Sequence, residues 1–151
     1  MTKQRQQTHN MECNIFSSVK KVGISHKTIA QTVGFVLKKE KVKGDISVHL
    51  VGNARMRTLN KLHRAKDKPT DVLSFSAIEG MDMLHGQELG DIFLSPQYIK
   101  KQAADWGVSY KEEFMRMLVH GVLHVLGYDH IQEDEAKVMF GKQETYLSKC
   151  I

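Results

Sequence analysis

The segment His120-Gly-Val-Leu-His124-Val-Leu-Gly-Tyr-Asp-His130 constrains this chain more than any other. It begins inside a stretch rich in Phe114, Met115, Met117, Leu118, Val119, Val122, Leu123, Val125 and Leu126. A helix that is apolar nearly all round belongs at the centre of a fold. His120 and His124 are four residues apart, so on that helix their rings project from one face. An unpaired polar ring costs ~1–3 kcal/mol to bury, and a shared metal ion satisfies both rings at once. Gly127 is placed to end the helix in a left-handed turn and bring His130 back over the same point. A single buried histidine is usually a satisfied core residue, but this spacing is that of a ligand set. Three imidazoles leave a fourth tetrahedral position for water, which suits a catalytic zinc better than a closed structural one. His9, His26, His49, His63 and His85 have no such spacing and are surface or core residues by default.

The rest of the chain supplies the frame. Glu12–Ser17 reads as a short strand. Ser25 caps a helix running to about Lys39, with Ile29, Val33, Val36 and Leu37 as its apolar stripe. In Asp45–Val51, Ile46, Val48 and Leu50 alternate with Ser47 and His49, as in a half-buried strand. Asn53 is the expected cap of a second helix ending near His63. Pro69-Thr70 breaks the chain before a strand over Asp71–Ala77. Gly80–Gln87 reads as a loop and Leu89–Leu94 as another strand. Ser95-Pro96 starts a third helix that ends near Trp106-Gly107. Ser109 and Glu112 form a capping box for the histidine helix, Tyr110 to Leu126. A last helix covers roughly Glu133–Ser148. Met139 lies within it and reads as core. These elements indicate an α+β fold, with helices packed on a mixed sheet.

A chain of 151 residues is expected to form a single domain over 1–151, with 1–10 as a loose tail. Such a domain buries about 70% of the surface its unfolded chain exposes. Its 41% hydrophobic and 26% charged residues are ordinary for a soluble protein. No apolar run approaches the roughly 20 residues of a membrane helix. The polar start, Met1-Thr-Lys-Gln-Arg-Gln-Gln, is not a secretory signal, so the expected location is the cytoplasm. Cys13 and Cys150 form no C-x-x-C pair, and in that compartment they are expected to stay reduced. Lys plus Arg exceed Asp plus Glu by 22 to 17, which permits a nucleic-acid partner without requiring one. Lys38, Lys39, Lys41 and Lys43 read as the solvated end of a helix. Lys61, Arg64, Lys66 and Lys68 form a second basic cluster.

The histidine spacing is also that of metzincin proteases, which carry Glu directly after the first histidine as general base. Here that position is Gly121, which cannot accept a proton and costs ~1 kcal/mol of helix propensity relative to Ala. An ordinary zinc peptidase is therefore disfavoured on chemical grounds. A metal that lowers the pKa of its water to about 7 needs no strong base. A phosphodiester fits such a site, because its transition state gathers charge that cationic side chains stabilise.

Three blocks of sequence bear on that reading. They are Asn60-Lys-Leu-His-Arg64-Ala-Lys-Asp67-Lys-Pro69-Thr70-Asp71-Val72-Leu73-Ser74-Phe75, then Leu89-Gly90-Asp91-Ile92, then the histidine segment. In this order they resemble the YbeY family of bacterial single-strand-specific endoribonucleases that act in ribosomal RNA maturation. The likeness covers about residues 45–131. It implies a zincin-like fold, one zinc ion on His120, His124 and His130, and hydrolysis of single-stranded RNA. The implied substrates are ribosomal RNA precursors, including the 3′ end of 16S RNA. The implied setting is ribosome-associated maturation and quality control, with no DNA or membrane partner. Arg64 matches the family arginine associated with activity, and its planar fork suits a phosphate in a way Lys cannot copy. Read without the resemblance, Arg64 is a helix-end cation. The chain departs from the family where it has His63 for a frequent Tyr and Val125 for a frequent Leu.

Asp67, Asp71, Asp91 and Asp129 are candidates to orient the imidazoles, and each is equally a turn or cap residue. Ser74 is a candidate to face the cleft. No residue in these blocks is marked as a general base. Two rival readings stay open: a metzincin-like metalloprotease, and a non-catalytic ribosome-assembly factor stabilised by zinc.

Overall fold

Ile46, Val48 and Leu50 are fully buried, and the strand that carries them lies inside a sheet rather than at its edge. The computed structural model describes residues 13–77 and 88–151. Its elements in chain order are β1 (Cys13–Ser17), α1 (His26–Lys39), β2 (Asp45–Leu50), α2 (Asn53–Arg64), β3 (Val72–Ser76), β4 (Glu88–Leu94), α3 (Pro96–Trp106), α4 (Tyr110–Val125) and α5 (Glu133–Cys150). The sheet order is β1-β2-β4-β3. β1 and β4 run parallel to β2, and β3 runs antiparallel to β4, so the sheet is mixed and the fold is α+β.

The alternation in the strands decides what each face meets. Ile15, Val48, Ile92 and Leu94 join Val33 and Val36 of α1 and Phe114, Leu118 and Val122 of α4 in one core. α4 is the hub: it contacts α1, α3, α5, β3 and β4. On the opposite face, Met56 and Leu59 of α2 pack against Val51 and Leu73, with Phe75 and Phe93 beside them. Helix ends follow their capping chemistry. Ser25, Ser95 and Ser109 each accept a main-chain N–H of the first turn through the side-chain oxygen. Gly107 closes α3 in the left-handed region, at φ 69°.

Four expectations are adjusted. Asn53 does not cap α2; Gly52 occupies that position, and Asn53 Oδ1 accepts from Ser95 Oγ at 2.8 Å. The strand expected over Asp71–Ala77 is Val72–Ser76; just beyond its ends Asp71 O still accepts from Ser95 N–H and Ala77 N–H still donates to Leu89 O, and the Asp71 carboxylate takes Val72 N–H at 2.7 Å. Ser47, expected on the more open side of its strand, is buried and donates to Glu88 Oε1 at 2.5 Å. The final helix continues to Cys150. The tail expected over 1–10, Glu12, and the loop expected over Gly80–Gln87 lie outside the described residues. Met139 is buried, whereas its neighbours Val138 and Phe140 are exposed. Cys13 and Cys150 are free thiols, and burial, with Asp45 adding to it, pushes the Cys13 thiol up to about 12. Among the described residues no helix is long and apolar enough to cross a membrane.

Candidate metal centre and cleft

The three histidines converge because α4 ends where it does. Gly127 N–H reaches back to His124 O and Tyr128 N–H to Leu123 O, each at 3.0 Å. This paired closure needs the residue after the cap to have positive φ, and Gly127 sits at 101°. The chain then reverses, and His130 returns to the rings of His120 and His124. Ring centroids are 4.8 Å apart for His120 and His124, 5.1 Å for His124 and His130, and 5.6 Å for His120 and His130. One ligand atom from each lies within 4.8 Å of the others.

Their surroundings favour the neutral, metal-binding form of His120 and His124. Burial lowers the proton affinity of His120, against a hydrogen bond from its ring to Gln143. Burial, with His120 and His130 beside it, lowers His124 to about 4. A neutral imidazole offers a lone pair, and three of them at one point form a donor set suited to zinc and to other borderline divalent ions. The triad could therefore hold a metal ion. Phe140 covers part of it, with its ring near-parallel to His130 (5.8 Å, 21°) and to His120 (6.3 Å, 23°).

Beside the triad is a cleft of about 470 Å³ lined by Arg64, Ser74, Phe75, Ser76, His124, Gly127, Tyr128 and Asp129. Arg64 lies at the end of α2 and reaches over β3. Its Nη2 donates to Ser74 O at 3.0 Å and its Nη1 to His63 O at 3.3 Å, with the guanidinium 4.9 Å from the Phe75 ring centre. Ser74 lines the cleft, as its place on the strand indicated. His63 packs edge-on against Phe75 at 4.9 Å.

The four candidate carboxylates separate. Asp91 faces the other side of the sheet, bonded to His49 at 2.8 Å, while His49 is stacked between Phe16 and Phe93. Asp67 is held by Arg57 Nε at 2.7 Å. Asp129 lines the cleft, accepts His130 N–H at 2.7 Å and favours a proton on His124. Asp71 favours a proton on His120, while its oxygens take Val72 N–H and Gln102 Nε2. A side chain that does touch a triad ring by hydrogen bond is that of Gln143, whose Oε1 is 2.7 Å from His120 Nδ1. Sequence reading missed it because it stands on α5 in no recognisable motif.

Fold and site together define an α+β protein with a three-histidine candidate metal centre at the edge of an arginine-bearing cleft. Residues 13–151 match the family model described as Endoribonuclease YbeY, and the chain belongs to that family. It is 47% identical over 106 residues to the Endoribonuclease YbeY of a Sulfurihydrogenibium species, covering 70% of this chain and 69% of the relative. It is 42% identical over 140 residues to that of Acholeplasma laidlawii, covering 93% and 97%. The solution structure of TM1509 from Thermotoga maritima is similar with a TM-score of 0.66 and 27% identity, over 91% of this chain and 88% of that one.

Proposed function

We propose that this chain is a zinc-dependent endoribonuclease, one zincin-like domain over 1–151, that hydrolyses single-stranded RNA in ribosomal RNA maturation in the cytoplasm. The relatives named above carry the endoribonuclease description. The observation that carries the reading is that His124 of the triad and Arg64 line one cleft. A zinc ion on His120, His124 and His130 would supply a Lewis acid and, from water, a nucleophile at neutral pH. Arg64 would bind a phosphate oxygen pair. Carbonyl contacts to His63 and Ser74 hold its fork at the cleft edge, and a guanidinium has five N–H donors to share. Lys61, Lys66 and Lys68 are exposed nearby in sequence and add positive charge for the RNA backbone. Precursor ribosomal RNA on the ribosome is the expected substrate.

The peptidase alternative loses ground at Gly121. A Cβ there would stand 2.9 Å from Ile92 Cγ2, so the position that bears the base in metzincins has no room for a side chain here. The reading is tested by metal analysis and RNA cleavage on the wild-type chain, His124→Ala and Arg64→Ala, each checked for folding. The expected result is about one zinc per chain in the wild type and cleavage lost in both folded variants. A metal-free active wild type, or full activity in folded His124→Ala, overturns it.

A further inference from the structure

We propose that Gln143 is the positioning residue for His120: its side-chain carbonyl fixes the imidazole with hydrogen on Nδ1 and leaves Nε2 as the ligand atom. This rests on the metal-centre reading above. A glutamine in a helix is ordinarily a solvated residue, yet Gln143 is 5% exposed and lies on the inner face of α5 between Met139 and Leu147. Its Oε1 is 2.7 Å from His120 Nδ1. The amide's orientation is set independently, because Nε2 donates to Glu144 Oε1 at 3.2 Å. An amide oxygen can only accept, so the hydrogen between Gln143 and His120 belongs to the ring.

The support closes on itself. Glu144 Oε1 also accepts Arg116 Nε at 3.0 Å. Arg116 lies one helical turn before His120 on α4, and its Nη1 donates at 3.1 Å to Glu113, which is fully buried. The circuit runs from α4 through Arg116, Glu144 and Gln143 back to His120. Two helices are thereby cross-linked at the ring that must not turn. The other two rings are held differently: His124 has a main-chain hydrogen bond at Tyr128, and His130 lies along Phe140. Partners of this kind, acting through a ligand's second nitrogen, typically change metal affinity by 10- to 100-fold when removed.

The test uses the full chain and measures zinc affinity by chelator competition, with the visible spectrum of the cobalt(II) form as a second readout. Gln143→Leu is expected to weaken zinc by about 10- to 100-fold and to alter the cobalt spectrum. The paired exchange Gln143→Glu with Glu144→Gln reverses donor and acceptor between the two positions while keeping an acceptor on His120, and should restore affinity. Leu147→Ala, on the same buried face of α5, should lower stability and leave zinc affinity unchanged. Wild-type affinity and an unaltered spectrum in Gln143→Leu overturn the proposal. Should Gln143→Leu not fold, long-range nitrogen–proton spectra of the metal-free wild type decide. Hydrogen on Nδ1 of His120 supports the proposal, and hydrogen on Nε2 overturns it. A wild type that binds no zinc instead overturns the metal-centre reading itself, an outcome the tautomer measurement distinguishes.

Discussion

Gly121 of α4 lies directly on Ile92 of β4: a Cβ at 121 would stand 2.9 Å from Ile92 Cγ2, 3.3 Å from its Cδ1 and 3.3 Å from Ser74 Oγ. Ile92 is fully buried, so it has little room to yield. Gly121→Ala gains ~1 kcal/mol of helix propensity and loses about 1–3 kcal/mol to overpacking. The net expectation is a lower urea midpoint, and a raised one would show that α4 and β4 separate freely. Gly90→Ala should be worse, since its Cβ would meet the main-chain oxygen of Phe75 at 2.3 Å. Backbone cannot rotate away, so β3 has to leave its register with β4.

Arg64 is exposed, its hydrogen bonds are to carbonyls of His63 and Ser74, and its guanidinium lies over the half-buried Phe75 ring. Arg64→Ala should therefore change stability by no more than about 0.5 kcal/mol, while RNA cleavage falls by roughly 10²–10³, the size of a lost transition-state donor. Arg64→Lys keeps the charge and loses the fork, so RNA binding should recover more than turnover. The slope of log affinity against log salt should fall by about one phosphate contact in Arg64→Ala. An unchanged slope would place Arg64 off the RNA path.

What could be read in the sequence was what repeats along one element. The i, i+4 histidines, the glycine after them, and the alternation of β2 are local patterns, and the structure keeps them. What could not be read depends on which elements become neighbours. Asp91 alternates correctly on β4, but its bond to His49 exists because β2 and β4 pair in that register. Gln143 sits 23 residues beyond His120 and meets it through the packing of α4 on α5. Gly121 looked like a missing base, and the sheet beneath it adds the steric reason. Asn53 looked like a cap because the residue type favours it, yet Ser95 claims its side-chain oxygen across the fold.

Acid should weaken the metal-free chain before it reaches the carboxylate range. His124 is lowered from 6.5 to about 4 by burial and by its two histidine neighbours. Between those values the unfolded chain binds a proton that the folded chain refuses, so stability rises with pH across that window and levels off above it. Urea midpoints of chelator-treated protein should decline as pH falls from 6.5 toward 4. His124→Gln should lessen that decline, leaving the part that comes from His120, which burial also lowers. A wild-type midpoint that is constant over the window would mean that the ring is not held neutral.

Glu40 at the end of α1 gathers three donors from the other side of the metal turn. Its Oε1 accepts from Tyr128 OH, and its Oε2 accepts from Lys142 Nζ at 2.9 Å and from Tyr146 OH at 2.5 Å. Burial pushes its carboxyl upward, but donation from Tyr128, Tyr146 and Lys142 outweighs it and leaves the group below its ordinary 4.5. A depressed carboxylate stabilises the fold above its unfolded value, and that stability is lost as pH falls through the folded one. This loss lies at lower pH than the onset of the His124 effect, so acid titration should separate them. Because Tyr128 lies between the helix-ending Gly127 and His130, the carboxylate also tethers the turn that delivers the third histidine. Glu40→Gln should cost about 1–3 kcal/mol at neutral pH and speed amide exchange across residues 126–131. Unchanged exchange in that turn, with the loss of stability present, would separate the cluster's contribution to the fold from any hold on the histidines.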